Sequence, residues 1–193
     1  MTDNRAFTIR QMTPDDYQFF PAALELLNRT QGRDIFGPQY MDERTSDPDS
    51  FAVGAFAGAE LVGVGIARLI NEFEYYEPFD SNISSALKDK TVGSFSTLSV
   101  HERFRRQGLG RRLSQKRLEW LRKCKCDVVL GVSWASGLAH TSNRVFTALG
   151  FTPGKTVANF YHEASVKHPF SCPGCQSSPC RCSATLYRLD LSR

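Results

Sequence analysis

Residues 98–113 read LSVHERFRRQGLGRRL, and the order of features in this stretch decides the fold. An apolar run over residues 95–100 predicts a strand. An arginine-rich turn follows, and Gly108-Leu109-Gly110 opens a helix that the spacing extends to about residue 123. A strand that enters a glycine-containing loop at a helix N-terminus presents unpaired amides at the positive end of the helix dipole, the geometry that holds a phosphate. Glycines at 108 and 110 remove side chains that would keep a ligand off the backbone. Arg103, Arg105, Arg106, Arg111 and Arg112 crowd the same segment, the last two in the first helical turn, where the dipole disfavours cations. That placement suits an anion with several charges; a solvated basic helix start is the alternative. The chain carries neither the G-K-[ST] of a P-loop nor the G-x-G-x-x-G of a dinucleotide site.

At 193 residues the chain predicts one domain, residues 1–193, large enough to bury a core. A formal net charge of +4 suits a phosphorylated ligand as well as nucleic acid. No run of about 18 apolar residues predicts a membrane span, and the N-terminal residues lack the apolar centre of a signal peptide. A cytoplasmic location is therefore expected, and in that compartment six cysteines argue against structural disulfides.

Residues 7–10 predict a short strand. Thr13-Pro14-Asp15-Asp16 is a helix start, with Thr13 as cap, Pro14 at the first helical position and Asp16 completing a capping box. That helix should end near Gly32, and a second short one is expected within residues 39–44. Residues 51–57 and 61–70 read as a hairpin whose small residues, Gly54, Gly63, Gly65 and Ala67, predict close packing under a helix. Residues 71–90 are acidic and aromatic and interrupt the sheet. Leu109, Leu113, Trp120 and Leu121 mark the buried face of the helix after the glycine loop. A strand follows over residues 127–134, a helix within 136–149 stopped by Gly150, a strand over 156–163, and a last alternating strand over 184–191. Strands and helices in this order predict an α/β (α+β) fold: a mixed, mostly antiparallel sheet flanked by helices.

With these elements in place the chain resembles the GNAT superfamily of acyl-CoA N-acyltransferases. Arg105-Arg106-Gln107-Gly108-Leu109-Gly110 is similar to the family's R/Q-x-x-G-x-G/A signature, Leu98-Ser99-Val100 to the L-x-V of the preceding strand, and Ala148-Leu149-Gly150-Phe151 to the junction after the second cofactor-facing helix. The resemblance implies acetyl-CoA as co-substrate and direct transfer of its acetyl group to a primary amine on a small-molecule or peptide acceptor. It implies that the backbone of Leu98, Ser99 and Val100 pairs with the pantetheine arm, and that amides of Gln107, Gly108, Leu109 and Gly110 bind the pyrophosphate. Arg105, Arg106 and Arg111 would position the phosphates, with Arg112 as a further partner. It also implies a homodimer as a candidate assembly. Two departures stand out. The tyrosine that relatives often use as general acid corresponds to Phe146, and their frequent asparagine to Ala139. Ser142, His140 and Tyr161 are the substitutes for the acid, Glu72 and Glu74 the candidate bases, and Thr97 or Ser99 could orient a water. The departures keep a non-catalytic acyl-CoA sensor in view, and the arginines keep a nucleic-acid-binding module as a weaker alternative.

Cys172, Cys175, Cys180 and Cys182 lie within an insertion, residues 165–183, ahead of the last strand. Four thiols with a C-x2-C element read as a structural Zn2+ site, with His162 or His168 as replacement ligands, against a redox or free-thiol cluster.

Overall fold

The computed structural model describes residues 6–135 and 142–191. Seven strands form one sheet: β1 (Phe7–Met12), β2 (Ser50–Ala57), β3 (Glu60–Ile70), β4 (Val92–Val100), β5 (Val128–Ala135), β6 (Thr152–Val157) and β7 (Ser183–Asp190), in the order β1-β2-β3-β4-β5-β7-β6. All neighbours are antiparallel except β4 and β5. The helices are α1 (Phe20–Gln31), α2 (Tyr40–Ser46), α3 (Ile83–Leu87), α4 (Leu109–Lys123), α5 (Asn143–Ala148) and α6 (His162–Lys167). The mixed, mostly antiparallel sheet and flanking helices match the expected fold class.

One face of the sheet is covered by α1 and α2, whose Ala23, Leu26, Leu27 and Met41 pack on Ala52, Val64 and Ile66. The segment 71–90 extends this cover: Tyr76, Phe79, Ile83 and Leu87 close over Val92, Val128 and Leu130. Its Phe73, Tyr76, Phe79, Ile83 and Leu87 are buried, while its carboxylates stay on the surface. The capping box forms as Asp16 Oδ2 accepts the Thr13 N–H at 2.9 Å, and Arg10 pairs with the same carboxylate at 2.7 Å, which lowers its pKa. The helix there does not run unbroken from Pro14, however. A 3-10 stretch, Pro14–Phe19, leads into α1, and Tyr17 is left 72% exposed rather than on the buried face.

α4 crosses the other face on a stripe of glycines. A Cβ at Gly63, Gly65 or Gly93 would lie 3.0, 3.2 or 2.5 Å from Leu113, Arg117 or Leu121, which are spaced four residues apart along the helix. The small residues of β3 therefore let the helix backbone approach, as their composition predicted. Leu109, Leu113 and Leu121 are buried, and Trp120 is half-buried against Phe51.

Arg117 also belongs to this buried face, at 2% exposure. Its Nη1 donates to Ile66 O at 3.2 Å and Thr97 O at 3.0 Å, Nη2 donates to Ser114 Oγ at 2.7 Å, and the guanidinium lies 3.9 Å from the Phe95 ring centroid. Burial pulls its pKa down to about 9, so it remains cationic at neutral pH. It bridges the strand pair where Ile66 faces Thr97 and Ala67 faces Phe95, a bulge that leaves Ser96 as the extra residue of β4. Replacing Arg117 with alanine opens a cavity and strips partners from two carbonyls. The expected loss is about 3–5 kcal/mol, measurable by chemical denaturation.

Residues 156–163 do not form the expected strand. β6 ends at Val157, Asn159 takes a left-handed φ of 53°, and α6 begins at His162. Phe160 instead packs its ring on Phe79 and Tyr75, and Tyr161 shares a side-chain hydrogen bond with Tyr75.

Candidate active site

The parallel pairing of β4 with β5 covers only Val92–Phe95 against Val128–Gly131, after which the strands part. β4 stays paired with β3 through Val100. The His101 N–H donates to Val62 O at 2.9 Å, so by strand alternation the backbone polar groups of Ser99 and Thr97 also face β3. Those of Leu98 and Val100 face the gap, and Arg105 Nε donates to the outward Val100 O at 3.0 Å. The gap is the floor of a cleft of about 1800 Å³, walled on the far side by Val132 and Trp134.

At one end the cleft reaches the α4 N-terminus. Gly108 has φ 76°, a left-handed conformation, and a Cβ there would meet nothing within 4 Å. The glycine is thus required by its backbone and leaves open space over the loop. Gly110 sits between Leu98 and Val145 with room for a methyl group, its Cβ position 3.7 Å from Val145, which accords with the G/A alternative at this place in the signature. The first α4 amide engaged in the helix is that of Arg112, which donates to Gly108 O, so the amides of Leu109, Gly110 and Arg111 precede the helical ladder. Arg105, Arg106 and Arg111 line this end of the cleft, with Arg144 of α5. Gln107 is exposed beside it. Arg112 is directed elsewhere, to Phe7 O of β1, and Arg103 lies over the Phe104 ring.

The opposite end is lined by Glu72, Glu74 and Tyr75 from the segment after β3, by Gln31 at the end of α1 and Asp34, Ile35 and Phe36 after it, and by Tyr161. Glu72 and Glu74 are exposed. Tyr161 shares a side-chain hydrogen bond with Tyr75, and burial raises its pKa. Ser142, just before α5, donates to Ser133 Oγ at 3.1 Å and lines the cleft. Ser99 Oγ is tied at 2.6 Å to Thr30 Oγ of α1, with its backbone turned to β3; it joins α1 to the cleft floor rather than offering an outward amide. Phe146 is 5% exposed, stacked on Tyr187 and seated on Gly131, where a Cβ would lie 2.3 Å from its ring. Ala139 and His140 lie outside the described residues.

The four cysteines converge. Cys172 Sγ and Cys182 Sγ are 3.6 Å apart, Cys175 Sγ and Cys180 Sγ 3.7 Å, and all four sulfurs lie within 4.8 Å of one another. Four thiolates about 2.3 Å from a tetrahedral zinc would stand about 3.8 Å apart, so this donor set fits the ion. Burial raises the Cys175 thiol, but hydrogen bonds from Ser177 Oγ at 3.0 Å and the Arg181 N–H at 3.4 Å outweigh it and bring it down to about 5. Such donors support a thiolate ligand. His162 and His168 do not join the cluster and are exposed.

Sequence reasoning located the glycine loop, the outward β4 residues and the cysteines. It did not find Arg117, whose charge concealed a buried helix position, although its spacing of four from Leu113 and Leu121 is a usable signal. Nor did it find Phe36, Trp134 or Phe170 in the cleft wall, because they come from segments far apart in the chain.

Solved structures share the fold. They include the ribosomal-protein-S18-alanine N-acetyltransferase of Escherichia coli, at 15% identity and TM-score 0.65, covering 97% of this chain and 96% of that one. Arabidopsis thaliana NAA60 in complex with acetyl-CoA matches at 16% identity and TM-score 0.66, over 96% and 99% of the two chains. Ard1 from Thermoplasma volcanium matches at 15% identity and TM-score 0.63, over 97% and 99%. No curated protein matches in sequence. Among the described residues, no helix is long and apolar enough to cross a membrane. Residues 15–151 of the 193 match the Acetyltransferase (GNAT) family, and with the split sheet and the glycine loop at its mouth the chain belongs to that family.

Proposed function

We propose that the protein is an N-acetyltransferase that moves the acetyl group of acetyl-CoA directly to a primary amine, with donor and acceptor meeting where β4 and β5 part. The observation that carries this reading is the continuous row of outward backbone groups, Leu98 and Val100, leading to the free amides at Leu109–Arg111. The row suits an extended amide-bearing arm and the amides suit a pyrophosphate, with Arg105, Arg106 and Arg111 answering the remaining charge. Thr97, Ser99 and Arg117 shape the floor.

In the reaction the amine lone pair attacks the thioester carbonyl while the oxyanion is stabilised by the Val100 N–H. The C–S bond then breaks and the thiolate leaves. Holding the two reactants along one cleft supplies the main acceleration. Glu72 or Glu74, through water, takes the ammonium proton. The buried ring of Phe146 cannot return one, so Ser142 or Tyr161 donates to the thiolate, or it leaves unassisted, as a free thiol pKa near 8.5 permits. The carboxylates Asp34, Glu72 and Glu74 favour a cationic acceptor, whether a small amine or a peptide N-terminus. The E. coli and Arabidopsis neighbours are N-acetyltransferases, one named for a ribosomal-protein alanine, which puts peptide amines first in the panel.

Thiol release from acetyl-CoA over a panel of peptides and small amines tests this. Acetyl-CoA binding with no amine acylated would favour the non-catalytic sensor. Steeply salt-dependent nucleic-acid binding in its place would favour the module built on the arginines.

The same proposal includes structural zinc held by Cys172, Cys175, Cys180 and Cys182. A site with four thiolates has no open position, so the ion would supply structure and no catalytic water. Thiols kept as ligands suit the cytoplasm. The expected metal content after zinc-replete expression is about one equivalent, and less than about a tenth would sink the assignment. We further read the chain as one catalytic domain with residues 165–183 inserted, assembled as a homodimer, which sedimentation would check.

A further inference from the structure

We infer that the four-cysteine knuckle is the clamp of the acceptor end of the cleft, so that metal loading shapes acceptor recognition and leaves acetyl-CoA binding unaffected. This rests on the zinc site proposed above. Cys172 and Cys180 themselves line the cleft, together with Phe170 and His168. From there the knuckle is tied to each wall of the acceptor end. Ser171 O accepts the Arg33 N–H at 3.2 Å from the segment between α1 and α2, the only backbone bridge between the two segments among the described residues. Phe170 packs so closely on the end of α1 that a Cβ on Gly32 would come within 3.1 Å of its ring. The Cys180 N–H donates to Ser165 Oγ of α6 at 2.8 Å. Trp134 of β5 and Tyr161 pack against the buried sulfurs, and Tyr161 passes the contact on to Tyr75, beside Glu72 and Glu74.

The three buried members of this cluster are cysteines, with half-buried aromatics around them. Three small side chains give a segment of this length little apolar burial of its own, so a metal ion is the natural source of its rigidity. The acetyl-CoA end is held independently: Leu109 and Leu113 anchor α4 in the core formed by Phe51, Val53 and Val62. Loss of the ion should therefore loosen one end of the cleft alone. The walls it would release carry Asp34, Glu72 and Glu74 alongside Phe36, Tyr75 and Phe170. Carboxylates beside aromatic faces recognise an ammonium group on an apolar body. Phe170 is accordingly the residue of the knuckle that contacts such an acceptor.

The test compares the zinc-loaded full chain with the same protein stripped by a chelator under reducing conditions, and with Phe170→Ala. Zinc content, acetyl-CoA affinity by calorimetry and amide hydrogen exchange are measured on each. Stripping is expected to speed exchange at least ~10-fold in residues 31–36 and 74–76, with residues 98–112 unchanged and acetyl-CoA affinity within ~2-fold. Phe170→Ala should keep its zinc and its acetyl-CoA affinity yet speed exchange in residues 31–36. If the protein as purified holds no zinc, the metal assignment fails and this inference with it. If zinc is bound but its removal leaves residues 31–36 and 74–76 unchanged, only the clamp is overturned. Loss of acetyl-CoA binding in parallel would also overturn it, by making the knuckle a staple of the whole fold.

Discussion

Replacing Gly108 with glutamate is expected to weaken acetyl-CoA binding by at least ~100-fold, about 2.7 kcal/mol, with the fold retained. The argument has two separable parts. The φ of 76° at Gly108 is a conformation that costs an L-residue about 1–2 kcal/mol, which for a chain of this size lowers the melting temperature by roughly 2–8 °C. The second part is electrostatic. A Cβ at this position enters open space, so no collision with the protein redirects the new carboxylate. It would stand among the amides of residues 109–111 and Arg105, Arg106 and Arg111, occupying the anion site and repelling the phosphates. Gly108→Ala supplies the control: it carries the same backbone strain without the charge, and its affinity should stay within ~5-fold of the parent. Calorimetric titration with acetyl-CoA reads both. If Gly108→Glu binds as tightly as Gly108→Ala, the phosphates are held elsewhere.

Why this loop was legible from sequence, and the rest of the site less so, follows from how local each determinant is. The strand, the glycine turn and the helix of residues 95–123 are contiguous, and their signals are short-range: apolar alternation, a glycine at the helix entry, a periodic buried face. The glycines of β3 were legible for a related reason, since a row of missing side chains in a strand implies a close neighbour, which proved to be Leu113 and Arg117. By contrast, the parting of β4 from β5 is decided by how far two strands remain in register, and nothing in either segment alone marks Phe95 and Gly131 as their last pair. The acceptor end is less local still. It assembles residues 31–36, 72–76, 134, 161 and 168–180. The cysteines were found because spacing exposes a donor set, but spacing does not say what the set leans on. Arg117 and the stretch 158–163 are the remaining misses. Nothing in the segment of Arg117 itself shows what satisfies its buried charge, because the carbonyls it donates to, Ile66 O and Thr97 O, lie on two separate strands. The strand expected over 156–163 stops at Val157, and Phe160 packs its ring sideways from a turn onto Tyr75 and Phe79.

The second large effect is expected from Val100→Pro, which should lower kcat by about 10²–10³ while acetyl-CoA affinity changes far less. The substitution removes one N–H and little else. That N–H faces the gap and not β3, because the neighbouring His101 N–H is the one that donates to Val62. Proline is tolerated on a strand where its missing donor faces away from the ladder, and the extended residue that must precede it is already present at Ser99. The Val100 O, which accepts from Arg105, is untouched. Stability should fall only by what the lost valine packing against the α4-side core contributes. Val100→Ala measures that part, because it keeps the amide; its kcat should remain within ~3-fold of the parent. The contrast between the two variants isolates a donor that acts on the charge developing at the acetyl oxygen. Both are assayed on the amine that the panel identifies as fastest. Equal rates for Val100→Pro and Val100→Ala would show that the oxyanion is held by another group. The remaining outward amide on this strand, that of Leu98, would then be the one to remove.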